Sequence, residues 1–191
     1  MNFTQDWFTY NIPHLQQLVG LLDNPSSVLE IGCFEGRATC WFLENIIPDG
    51  GLIVCVDPFT GSMEHDNMDL SDLYTKFIGN VSKVEKSSQC VSVMKEYSFD
   101  ALAQLITRKQ QFDFIYVDGS HTAADVLIDA CMSWPLLKKG GIMVFDDYHW
   151  RPEGFNDYQT PKFGVDAFSH AFRDQFEVVH DGYQIAIRKT K

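Results

Sequence analysis

Five short runs rich in β-branched and apolar residues recur along the chain: Ser27–Ile31, Leu52–Val56, Cys90–Met94, Phe112–Val117 and Ile142–Phe145. Segments with helical spacing separate most of them. This alternation restricts the fold more than any other feature, because strand–helix–strand units build a parallel sheet covered on both faces. The fifth run is apolar throughout, as suits a central strand. The chain then closes on Phe176–Val179 and Gln184–Ile187, joined across Asp181-Gly182, a two-residue hairpin signal. The expectation is an α/β fold: a doubly wound, seven-stranded sheet, mostly parallel, that ends in an antiparallel hairpin.

The helices follow from spacing and punctuation. Asn11 is placed to cap a first helix with Pro13 near its start, and Leu15, Leu18, Val19 and Leu22 share a face. Residues 1–25 thus form a helical extension. Thr39, Phe42, Leu43 and Ile46 mark a second helix. Others are expected over Leu70–Ile78, Phe99–Thr107, Ala123–Leu137 and Val165–Phe172. Lys138-Lys139-Gly140-Gly141 reads as a basic last turn with a glycine cap. Tyr148–Gly164 has no clear period and is the candidate substrate or lid loop.

A length of 191 residues fits one domain, residues 1–191, and 45% apolar content excludes disorder. No stretch approaches 18 uninterrupted apolar residues, so no membrane partner is expected. Met1–Asp6 lacks the basic and apolar regions of a signal peptide. A net charge of −11 with no basic patch speaks against nucleic acid. Five scattered cysteines without a CxxC pair suit buried, reduced thiols and a cytoplasmic setting. The N-terminal helix can bury its apolar face against the sheet or against a second copy in a homo-oligomer.

Ligands of open α/β sheets bind beyond the carboxyl ends of the strands. After the first run stands Glu30-Ile31-Gly32-Cys33-Phe34-Glu35-Gly36. Gly32 and Gly36 allow a tight turn into a helix, but their spacing departs from GxGxxG. Glu30 suits a cationic or amino-bearing ligand better than a phosphate. Asp57 ends the second run, where an acid accepts hydrogen bonds from ribose hydroxyls. Together they point to a nucleoside-containing ligand with no phosphate at the turn.

Asp118 follows the fourth run, and Asp146 and Asp147 follow the fifth. If these strands are neighbours, about 4.8 Å apart, three carboxylates converge. Each alone reads as a turn or helix cap. Together they would repel one another unless a hard divalent cation, Mg²⁺ or Ca²⁺, joined them. His121, three residues after Asp118, is the candidate general base, with His149 as its rival. Tyr148, Trp150, Phe155 and Tyr158 either line a pocket or pin the loop.

The stretches VLEIGCFEGRATCWFLE, VCVDPF and FDFIYVDGSHTAADVLIDACMSWPLLKKGGIMVFDDY, with the closing hairpin, resemble a class I S-adenosylmethionine-dependent methyltransferase. The pairing of DGSH with GGIMVFDDY is similar to the macrocin O-methyltransferase-like group, whose metal site is also similar to that of catechol O-methyltransferase. The resemblance implies a Rossmann-like sheet and a bound S-adenosylmethionine. Glu30, Gly32 and Gly36 would line its methionine end, Asp57 its ribose and Ser98 its adenine, with Asp118 also counted among the cofactor contacts. Asp118, Asp146 and Asp147 match the metal positions, and His121 matches the base. The implied reaction is Mg²⁺-dependent O-methylation of a small-molecule hydroxyl, on a sugar or other diol-like acceptor. The residues alone leave two alternatives: a metal-independent N- or C-methyltransferase, and a non-catalytic protein that binds a nucleoside ligand.

Overall fold

The computed structural model describes residues 1–62, 65 and 67–191. Its seven strands are β1 (Ser27–Ile31), β2 (Leu52–Val56), β3 (Cys90–Met94), β4 (Phe112–Val117), β5 (Leu137–Phe145), β6 (Phe176–Asp181) and β7 (Ile185–Lys189). They form one sheet in the order β3-β2-β1-β4-β5-β7-β6. The pairs among β1 to β5 are parallel, and β7 runs antiparallel between β5 and β6. This is the Rossmann-like, mostly parallel sheet with a terminal hairpin that the alternating pattern implies. The helices are α1 (Ile12–Val19), α2 (Arg37–Asn45), α3 (Leu73–Val81), α4 (Ser98–Thr107), α5 (Ala123–Ser133) and α6 (Pro161–Phe172).

Register positions the site. Ile31 pairs with Val56 and with Val117, and Val117 pairs with Phe145. The next residues, Gly32, Asp57, Asp118 and Asp146, therefore leave the sheet along one edge. Strand order reverses between β1 and β4, where the crossovers part and open a crevice. Two apolar layers fix this frame. Phe114 and Tyr116 of β4 pack with Leu15, Phe42 and Phe77 on one face. Ile115 and Val117 pack with Leu102, Phe145 and Phe168 on the other. Period-2 alternation in a single strand thus feeds both layers.

Several boundaries differ from the sequence reading. The fifth helix stops at Ser133, and Pro135 lies in a 3-10 turn, Trp134–Leu136. β5 then starts at Leu137, so Lys138-Lys139-Gly140-Gly141 belongs to a strand and does not cap a helix. Gly140 takes φ 81° where the register with β4 shifts between Phe112 and Phe114. Lys138 instead donates to Asp113 at 2.8 Å. Pro161 opens α6 four residues before the expected start. Asn11 makes no side-chain cap. The hairpin is longer than two residues: Gly182, Tyr183 and Gln184 connect β6 to β7, which places Tyr183 at its tip. Cys33, Cys40 and Cys55 are buried free thiols, whereas Cys90 and Cys131 are exposed. Among the described residues, no helix is long and apolar enough to cross a membrane.

Candidate active site

The glycine turn is built around backbone geometry. Gly32 has φ 82°, and a Cβ there would stand 1.9 Å from the Asp118 carbonyl oxygen. Only glycine lets the end of β1 lie this close to the loop after β4. Asp57 binds the same turn: its Oδ2 accepts from the N–H groups of Cys33 at 2.7 Å and Phe34 at 2.9 Å. Its Oδ1 accepts from Phe59 N–H at 2.6 Å. The carboxylate is thus fixed at the mouth of the crevice with lone pairs to spare. A carboxylate at this edge opposes a phosphate and favours ribose hydroxyls or a cationic ligand.

Glu30 is placed differently from expectation. It is fully buried beneath the turn, where the Thr39 hydroxyl donates to its Oε2 at 2.5 Å. Burial pushes its carboxyl up to about 8. The neighbouring thiols of Cys33 and Cys55 come within metal-ligand reach of it, and burial raises both. Alternation along β1 turns Glu30 toward α2 and away from the crevice. Gly36 opens α2, and Ser98 stands half-buried at the first residue of α4. The Ser98 side chain interacts with Asp129, a buried acid on α5 that sequence reasoning missed. No spacing signal marks Asp129 as anything but a helix residue.

At the other end of the edge, Asp118, His121 and Asp147 each offer a ligand atom, all within 4.8 Å of one another. His121 Nε2 lies 3.1 Å from Asp147 Oδ2 and 3.7 Å from Asp118 Oδ1. Desolvation, followed by the charge of Asp146, holds the Asp118 carboxyl well above the usual carboxylate range. Asp147 sits in the left-handed region at φ 52°, which turns the chain sharply after β5 and aims its side chain into the cluster.

Asp146 is not in that triad. It is 8% exposed and turned into the protein, where it accepts from the Tyr116 hydroxyl, from Asn11 Nδ2 at 3.3 Å and from the Asp147 N–H at 2.9 Å. Burial and the Asp147 charge push its carboxyl up to about 6. The turn after β5 accounts for this: the left-handed backbone of Asp147 swings its side chain toward His121, while the hydrogen bonds from Tyr116 and Asn11 keep Asp146 inward.

The oxygen-rich triad fits a hard divalent cation, because its acids stand closer together than unneutralised charges favour. Asp118 and Asp147 would hold the ion, with His121 beside it and Asp146 supporting Asp147 from behind. His149, the rival base, is exposed and lies against the Tyr148 ring. Of the loop aromatics, Trp150 packs on His121 at 4.9 Å and on Phe155 at 5.9 Å, while Tyr158 is exposed. A cavity of about 400 Å³ runs from Tyr148–Arg151 to Lys162 and Asp166; no triad residue lines it, and Trp150, which does, packs on His121. Two further residues reach the cluster from outside the motifs. Tyr183 donates to Asp147 Oδ1 at 2.8 Å, and the Tyr10 ring meets the Tyr183 ring at 6.4 Å.

Comparison with known proteins agrees with the fold. Residues 29–148 match the family described as "Methyltransferase domain". An uncharacterized protein of Acanthamoeba polyphaga mimivirus is 27% identical over 130 residues, 65% of this chain and 54% of that protein. The chain spans about half the length of that relative. An O-methyltransferase from Bacillus cereus, solved in complex with S-adenosylhomocysteine, superposes with TM-score 0.67 at 20% identity, over 98% of this chain and 84% of the other. A Corynebacterium glutamicum protein gives TM-score 0.64 at 17% identity, over 99% and 83%. MycE, a methyltransferase of the mycinamycin biosynthetic pathway solved with Mg and S-adenosylhomocysteine, gives 0.63 at 16% identity, over 98% and 51%.

Proposed function

The chain belongs to the methyltransferase domain family, and from that premise we propose that it transfers a methyl group from S-adenosylmethionine to a hydroxyl of a small molecule, with Mg²⁺ or a similar cation at the acidic triad. The observation that carries this reading is the convergence of Asp118, His121 and Asp147 beside the crevice that Asp57 and the glycine turn border. The B. cereus enzyme and MycE carry S-adenosylhomocysteine on this fold, and MycE also carries Mg. Both relatives support the reading.

S-adenosylmethionine, when bound, supplies an electrophilic methyl group on a positively charged sulfur. A divalent cation, when bound, supplies Lewis acidity that lowers the pKa of an acceptor hydroxyl. The remaining work falls to the chain. Asp57, held by three backbone N–H groups, presents its free lone pairs to ribose hydroxyls. Gly32 keeps the turn low, so that cofactor and acceptor sites lie on one edge. Asp118 and Asp147 would hold the cation, and the site they form would orient the acceptor for in-line attack, the dominant requirement of a reaction with a reactive donor. His121 takes the acceptor proton at Nε2, which lies 3.1 Å from Asp147 Oδ2 and 3.7 Å from Asp118 Oδ1, so that the two carboxylates stabilise the resulting imidazolium.

The test is a transfer assay with radiolabelled S-adenosylmethionine on catechol and on simple glycosides, with Mg²⁺ and with EDTA. Labelled product that EDTA removes supports the reading. Product that EDTA leaves untouched overturns the metal and favours direct acid–base transfer. S-adenosylhomocysteine binding without product on any hydroxyl acceptor leaves the non-catalytic reading.

A further inference from the structure

We infer that Tyr10 and Tyr183 form an aromatic wall that selects the acceptor, favouring a flat aromatic ring over a non-aromatic one. The inference rests on the methyl-transfer reading above and specifies what that site accepts. Neither residue lies within residues 29–148, the segment matched by the family. One comes from the N-terminal segment and the other from the hairpin tip.

Three observations place the pair at the reaction centre. Tyr183 is anchored there by its hydroxyl, which donates to Asp147 Oδ1 at 2.8 Å while Oδ2 of the same carboxylate faces His121. Tyr10 stands edge-on to it at 78°, and its phenol feels the charges of Asp146, Asp147 and Asp118. The residue after Tyr10 is itself locked into the site. Asn11 is 2% exposed, and its amide contacts both oxygens of Asp146. The N-terminal segment is therefore docked onto the cluster, and Tyr10 cannot be far from the bound acceptor.

The rings are nonetheless open. Tyr10 is 55% exposed and Tyr183 43% exposed, unusual for aromatic side chains that lie against a polar site with one hydroxyl already satisfied. Beyond His121, the Trp150 ring continues the sequence of contacts: Tyr10, Tyr183, Asp147, His121, Trp150. Carboxylates at the centre with aromatic rings on both flanks suit a ligand whose hydroxyls enter the centre and whose flat face covers the rings.

Binding can be read without turnover. The protein is loaded with S-adenosylhomocysteine and Mg²⁺, and ligand-observed NMR measures 4-methylcatechol and the non-aromatic cis-1,2-cyclohexanediol. The expected result is that 4-methylcatechol binds at least about fivefold more tightly than the cyclohexanediol. Tyr183→Ala and Tyr10→Ala should each weaken 4-methylcatechol about fivefold to tenfold, the range of an aromatic contact. Tyr183→Phe, which keeps the ring and loses the anchor, should recover most of that loss. S-adenosylhomocysteine affinity should not change in any variant. Equal binding of the cyclohexanediol, no effect of either alanine variant, or no binding of either diol to cofactor-loaded protein would overturn the wall. Failure of S-adenosylhomocysteine itself to bind would overturn the underlying reading first, and is seen in the loading step.

Discussion

At the β1–β2 end of the strand edge the acid points at N–H groups, and at the β4–β5 end the acids point at one another. Asp57 accepts three backbone hydrogen bonds and so organises the turn that surrounds it. Asp118 and Asp147 share a histidine and little else, and the nearby charge of Asp146 raises the Asp118 carboxyl further. The first region is complete as protein. The second is left with like charges that a bound cation would relieve. One edge of one sheet therefore carries a rigid cradle and a reactive cluster, separated by the width of a strand pair.

The sharpest way to break this contrast is to remove what joins its halves. Gly32→Ala drives a Cβ into the Asp118 carbonyl and forces φ 82° on a residue with a side chain. It should destabilise the fold by about 4 kcal/mol or more, read as a lowered urea midpoint, because backbone cannot yield as a side chain can. His121→Ala tests the reactive half alone. It should lower kcat by about 10²–10⁴-fold, the usual contribution of a positioned base, with S-adenosylhomocysteine affinity kept in calorimetry. Asp57→Ala tests the cradle. It should weaken S-adenosylhomocysteine by about 10- to 100-fold, the worth of a charged hydrogen-bonding partner, with Mn²⁺ binding unchanged.

The smallest effect sharpens the cradle side. Glu30, buried under the turn, is pushed up to about 8 by burial, and Asp129 to about 7. Both hold a proton in the fold that they release in the unfolded chain at the ordinary carboxyl pKa of about 4. Their contribution is fully present below that value and is lost as pH rises through about 7–8. Stability should therefore decline from about pH 5 to pH 8 in urea titrations. Glu30→Gln should flatten the decline, since a neutral amide has no proton to lose.

Legibility followed the same division. β1 to β4 begin and end where their apolar runs do: β1, β2 and β4 are buried on both faces and write their boundaries in composition, while the largely exposed edge strand β3 is marked by its valines. β5 was legible only in its second half: Lys138 and Lys139 look like a helix end, and only the pairing of Lys138 with Asp113 makes them strand. Asp57, Asp118 and Asp147 could be read because strand ends converge by topology. The inward turn of Asp146 could not, since it depends on Tyr116 and Asn11, far away in sequence. Tyr10 and Tyr183 escaped for a related reason. A tyrosine in a turn carries no spacing signal, and each reaches the centre only after the N-terminus and the hairpin have docked.

The most direct test of the account is a pair of calorimetric titrations, S-adenosylhomocysteine and Mn²⁺, on the parent protein, on Asp57→Asn and on Asp147→Asn. The account predicts that the parent binds both, that Asp57→Asn loses affinity for the first ligand only, and that Asp147→Asn loses affinity for the second only. Loss of both ligands in one folded variant, or no Mn²⁺ binding to the parent, would contradict a cradle and a cation site placed apart on one edge.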